Sequence, residues 1–267
     1  MTIRHRALQA LSLCNPEDKC RATHELRAMA DSLDWGTGER ITAPASAMLP
    51  GRPEQPPLVS ATEVPRRSPF TDEGLAAMAH AIAHIEFNAI NLALDAVWRF
   101  EGMPEAFYRD WLRVADEEAH HFALLNAALQ DMGWRYGDFP AHDGLWSMCL
   151  KTQDDITARM ALVPRTLEAR GLDATPLIQA KLRQVGSPAA LRLVSILDLI
   201  LREEIGHVAI GNRWYGHLCQ QQGIEPLAHY RQLSRTHAAP RLRPPLNDAA
   251  RLAAGFSQVE LDYLLSA

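Results

Sequence analysis

Four cysteines in 267 residues, Cys14, Cys20, Cys149 and Cys219, form no Cys-x-x-Cys pair. That spacing excludes a zinc ribbon or a thioredoxin-type redox centre, and free thiols in a reducing compartment are expected. No apolar run approaches the roughly 18 residues of a membrane span, and the N-terminus has no apolar stretch of the kind a secretory signal needs. Positive charge is not in excess either: the net charge is −5 and the pI near 6.1, so a broad basic footprint for nucleic acid is missing. Alternating strand patterns are missing as well. A soluble, cytoplasmic, all-α protein is expected, with no membrane partner and nucleic acid disfavoured.

Helical periodicity is abundant. Residues 3–34 read as one or two short helices around "CNPEDK". The stretch 43–70 holds seven of the 17 prolines, too dense for a helix or sheet interior. It reads as an extended arm on the surface of the main domain, with a mostly disordered segment as the alternative. A first long helix is capped by Thr71 and runs to about Phe100. A second spans about Glu105 to Met132, a third about 146–170 with Pro164 inside it, and a fourth about 188–222, ending at Gly223. A short segment, 175–185, separates the last two. The expected domains are 1–70 (short helices and arm packed on the bundle), 71–225 (four long helices in two pairs) and 226–267 (loop and short helices). That is a four-helix bundle.

Carboxylates interrupt the inward stripes of these helices. On the second, Trp111, Ala115, Glu118, Phe122, Leu125 and Leu129 recur at steps of three and four, and only the glutamate is polar. On the fourth, Leu193, Leu197, Ile200, Glu204, His207, Gly211 and Trp214 do the same. On the first, Ala79, Ile82, Glu86, Ala89, Ala93, Ala96 and Phe100 make a stripe broken only by Glu86. A buried carboxylate costs several kcal/mol unless it protonates, pairs or binds a cation. Glu118/His121 and Glu204/His207 are each a Glu-x-x-His, two side chains one turn apart on one helix face. Glu86 precedes Glu118 by 32 residues and Glu168 precedes Glu204 by 36, so both halves read as a lone Glu, a turn, then Glu-x-x-His. That is the ligand set of a dinuclear carboxylate site in a helix bundle. Asp154 and Asp155 compete with Glu168 for its place. Glu117/His120 and Glu203 duplicate the spacing, and with His84 they are candidates for hydrogen-bonding behind the ligands. His80, His84, Asn88, Asn91 and Asp95 otherwise read as a solvated face of the first helix. Oxygen and nitrogen donors suit iron, with manganese or zinc also accepted.

The stretches "DEEAHHFALL", "YGDFPAHDGLW", "VPRTLEARGLD", "REEIGHVAIGNRWYGHLC" and "LNDAARLAAGF" resemble the ferritin-like superfamily and, within it, the family known as domain of unknown function 455. The resemblance implies a ferritin-like four-helix bundle with metal ligands Glu86, Glu118, His121, Glu168, Glu204 and His207 and two iron ions. It names no substrate and no catalytic residue beyond the ligands. The activity expected is a diiron oxidoreductase of oxygenase or oxidase type, taking O2 or peroxide, an organic small molecule and an electron donor. Iron handling (ferroxidase or peroxide removal) and a metal-stabilised binding module, perhaps RNA-recognising, are the rivals. A homodimer is expected only from how often such bundles pair.

Overall fold

The computed structural model describes residues 1–266. The protein is all-α, and the described residues contain no strand beyond one isolated parallel bridge, Leu58 to Ala141. The chain divides into two compact units, Met1–Trp146 and Ser147–Ala267. No described helix is long and apolar enough to cross a membrane. Cys20, Cys149 and Cys219 are buried free thiols, and Cys14 is an exposed one.

The first unit is built on a hairpin of two long helices, α3 (Asp72–Arg99) and α4 (Glu105–Asp131). The Thr71 hydroxyl accepts from Gly74 N–H at 3.1 Å and starts α3. Gly133, at φ +83°, takes the left-handed conformation just past the end of α4. The five-residue link folds α4 back along α3, so Glu86 stands as far before the turn as Glu118 stands after it. Two shorter helices, α1 (Ile3–Leu11) and α2 (Pro16–Ala28), pack on α3 and α4 respectively. The break between them is a cap: the Asn15 side chain accepts from Asp18 N–H, with Pro16 at the first helical position.

Those short helices overturn one expectation. His80, His84, Asn88, Asn91 and Asp95 are all buried, not solvated. On the same face of α3, the Lys19 ammonium of α2 donates to Asn91 Oδ1, Leu11 O and Gly51 O. Arg99 forks onto Asp95 with bonds of 2.7 and 3.0 Å, and His80 Nε2 accepts from Gly137 N–H at 2.9 Å. Both faces of α3 are therefore interior. Sequence periodicity sees polarity and reads water; here the polar groups face protein partners.

Arg4, fully buried, donates to Val97 O and Trp98 O at the end of α3 and to Gly36 O and Glu39 O. It satisfies helix-terminal carbonyls that no backbone N–H reaches. Arg4→Met is expected to cost about 2–4 kcal/mol, since several buried acceptors lose a charged donor together. Urea unfolding of the full chain checks this.

In the second unit the expected helix over 146–170 is broken into pieces. α5 (Gly144–Lys151) comes first, then α6 (Ile156–Leu162), a π-helical turn (Val163–Glu168) and α7 (Ala169–Val185), which runs on through Gly171 and the segment read as separate. Asp155 starts α6, accepting from Thr157 N–H and Ala158 N–H at 2.8 and 2.9 Å. Pro164 has no N–H for the α ladder and its ring crowds the preceding turn, so the backbone widens there. The long α8 (Pro188–Gln222) packs along α6, the π turn and α7. Gly211 permits the closest approach: a Cβ there would lie 2.5 Å from the Pro164 Cβ. α9 (Pro226–Thr236), α10 (Asp248–Ala253) and α11 (Gln258–Ser266) complete the unit, with Ala169, Leu172, Val208, Ala254, Phe256 and Leu261 in a common core.

Candidate metal centre

Within the first unit the α3–α4 hairpin brings Glu86, Glu118 and His121 together. The rest of each stripe is apolar and buried, from Ala79 to Phe100 on α3 and from Trp111 to Leu129 on α4. Glu86 is 3% exposed, and Glu118 and His121 are fully buried. His121 Nδ1 lies 3.1 Å from Glu86 Oε2 and 3.3 Å from Glu118 Oε2. The three residues offer ligand atoms within 4.8 Å of one another, a group able to hold a metal ion.

The electrostatics of the cluster are set by burial and by the closeness of the two carboxylates to the imidazole. Burial first, and the adjacent Glu118 carboxylate second, push the Glu86 carboxyl up to about 8; His121 pulls the other way and is outweighed. For His121 burial opposes the charged ring, but the hydrogen bonds and charges of the two carboxylates prevail and raise it to about 11. The imidazole proton thus stands where a metal ion would balance the same two carboxylates.

The alternative pair separates clearly. His120 is exposed, and Glu117 is half-buried with its carboxylate 3.8 Å from Arg113. His84 hydrogen-bonds Tyr136 and Asn88, and its position two residues before Glu86 puts it about 200° away around α3.

In the second unit, His207 is fully buried and Glu204 half-buried on α8, with His207 Nδ1 3.8 Å from Glu204 Oε1. Glu204 Oε2 is sealed from solvent with no hydrogen-bond partner among the described residues. A buried carboxylate oxygen in that condition fits a metal donor. Glu203 is half-buried beside it. Glu168, also half-buried, closes the π turn, which stands about as far before the Gly186 turn as Glu204 stands after it. Asp155 is spent on the α6 cap, which accounts for one of its two competitors. Sequence reasoning missed the π turn; Pro164 four residues before Glu168 was its one visible signal.

The model of a family described as "Protein of unknown function (DUF455)" matches residues 12–262. The chain belongs to that family. A protein of Haemophilus influenzae, titled "Uncharacterized protein", is 46% identical over 274 residues, covering 96% of this chain and 91% of that one. No solved structure matches.

Proposed function

We propose that this member of the DUF455 family is a ferritin-like dinuclear metal protein that uses O2 to oxidise an organic substrate. In this reading the two Glu-x-x-His helices and their partner glutamates form one ligand set, Glu86, Glu118, His121, Glu168, Glu204 and His207, with two iron ions as the fitting occupants. The observation that carries it is the Glu86–Glu118–His121 cluster, buried, all oxygen and nitrogen donors, and set in an otherwise apolar stripe.

The metal pair, when bound, supplies redox electrons and open coordination positions. The chain's own part is to hold donors and exclude water. Phe122, Leu197 and Ile200, all buried next to ligand positions on their helices, provide apolar wall. Glu86 and His121 give up protons on loading and so set the pH at which the site fills. The π turn places Glu168 on wider, less regular backbone, a feature that recurs at functional sites in helices.

The test is anaerobic Fe(II) titration of chelator-treated protein, followed by O2 uptake. About two ions per chain are expected, with both lost in Glu118→Ala/Glu204→Ala. Iron oxidation that no organic co-substrate accelerates would favour iron handling instead. No metal in either protein would remove the proposal.

A further inference from the structure

Pro164 takes an N–H out of the helix ladder, but it does not determine whether the chain kinks, breaks or widens in response. The residue after it does. Arg165 is 4% exposed, and partners from α8, α9 and the α10–α11 region converge on its guanidinium. Nη1 donates to Asn212 Oδ1 of α8 at 2.7 Å, and Nη2 donates to Glu260 Oε1 of α11. The rings of Tyr215 on α8, Tyr230 on α9 and Phe256 between α10 and α11 surround it, their centroids 5.3, 5.1 and 4.7 Å from Cζ.

Each polar partner is itself held. Asn212 Nδ2 donates to Ala254 O at 2.7 Å, which fixes the amide with its oxygen toward Arg165. Glu260 Oε2 accepts from the Ser257 N–H at 2.7 Å and from its hydroxyl at 2.8 Å, so one oxygen caps α11 while the other holds Arg165. Burial alone would raise the Glu260 carboxyl, but the Arg165 charge and the Ser257 donors outweigh it and hold it below the ordinary carboxylate range. One residue further on, Thr166 Oγ1 donates to Ala161 O at 2.8 Å and accepts from the Tyr230 hydroxyl at 3.0 Å. Successive side chains of the π turn are thus tied to the C-terminal helices.

A buried ion pair is weak evidence for stability, since apolar side chains in its place often serve as well or better. Its effect here is on geometry. A turn closed by i→i+5 bonds holds one residue more than the α turn it replaces. Relaxing it to a regular α-helix would rotate every later residue by about 100° relative to α6. Glu168, the last residue of the turn, would then point elsewhere.

We propose that Arg165 is a positioning residue for Glu168. Clamped by Glu260, Asn212 and the three rings, it holds the π turn open and so fixes the direction in which Glu168 offers its carboxylate. The C-terminal helices thereby take part in building the metal site although they supply no ligand. The proposal rests on the dinuclear metal reading, in which Glu168 is a ligand.

Arg165→Met/Glu260→Gln removes both charges together, so no unpaired ion is left inside. In chelator-treated protein, amide exchange at Val163 and residues 165–168 should speed up at least about tenfold, while residues 193–200 of α8 keep their protection. Mn(II) is the metal probe. The parent is expected to bind about two ions per chain, and in the variant one of them should bind about ten- to a hundredfold more weakly. Glu168→Ala should do the same. Adding Arg165→Met/Glu260→Gln to it should weaken binding no further, because the clamp acts only through Glu168. If the charge-free variant does not fold, Asn212→Ala, which loosens the clamp and leaves the ion pair in place, is measured in the same way. Unchanged Mn(II) affinity, unchanged exchange in the turn, or an equal added loss on top of Glu168→Ala would each overturn the proposal. A parent chain that binds no Mn(II) would remove the metal reading and the positioning role together, and is told apart because it shows without any substitution.

Discussion

Metal affinity should rise by at least about tenfold per pH unit between about pH 6 and about pH 8, and each ion bound should expel protons. The cause is the metal-free state of the Glu86–Glu118–His121 cluster. Burial beside a second carboxylate holds a proton on Glu86 up to about pH 8, and two carboxylates hold one on His121 to about 11. A cation has to displace both, because neither a carboxylic acid nor an imidazolium is a ligand. Below pH 8 both protons count, so the dependence is steep; above it only the His121 proton remains and the slope falls by one. Competition titrations with Mn(II) at several pH values measure the slope, and calorimetry in buffers of different ionisation enthalpy counts the protons. A pH-independent affinity would mean that the cluster does not hold the ion. His121→Ala should flatten the profile and weaken binding together, which distinguishes a ligand from a bystander.

What could be read from the residues beforehand follows from what periodicity measures. A stripe of Trp111, Ala115, Phe122, Leu125 and Leu129 identifies a buried face irrespective of tertiary context, and it selected Glu118 and His121 over Glu117 and His120 correctly as to burial. The cap at Thr71 and the stop at Gly223 are local chemistry, and α3 begins and α8 ends accordingly. Two kinds of feature were out of reach. The burial of His80, Asn91 and Asp95 depends on helices and an arm far away in the chain, and a polar residue looks the same in sequence whether its partner is water, Lys19 or Arg99. The π turn depends on how the backbone accommodates Pro164 against Gly211, a choice between kinking, breaking and widening that composition alone does not make.

Glu86→Gln should make the metal-free protein more stable while removing its metal. The Glu86 carboxyl has an ordinary value of 4.5 and stands near 8 in the fold. Folding therefore takes up a proton between those pH values. The cost is absent below about pH 4.5, grows as the pH rises, and is complete above about pH 8. At pH 7 the difference of roughly 2.5 units corresponds to about 3 kcal/mol. Glutamine keeps the shape and an oxygen that can still accept from His121 Nδ1, 3.1 Å away in the parent, but it needs no proton. Hydrogen exchange along α3 and α4 of chelator-treated protein is the suitable readout, since the two compact units need not unfold together. Protection should increase at pH 7 and converge with the parent near pH 4.5, while metal affinity falls at least about a hundredfold. Lower protection in Glu86→Gln at pH 7 would mark Glu86 as a structural ion-pair partner of His121. A gain coupled to metal loss would show stability given up at this position for the sake of holding a cation, the trade expected where a buried carboxylate is kept for function.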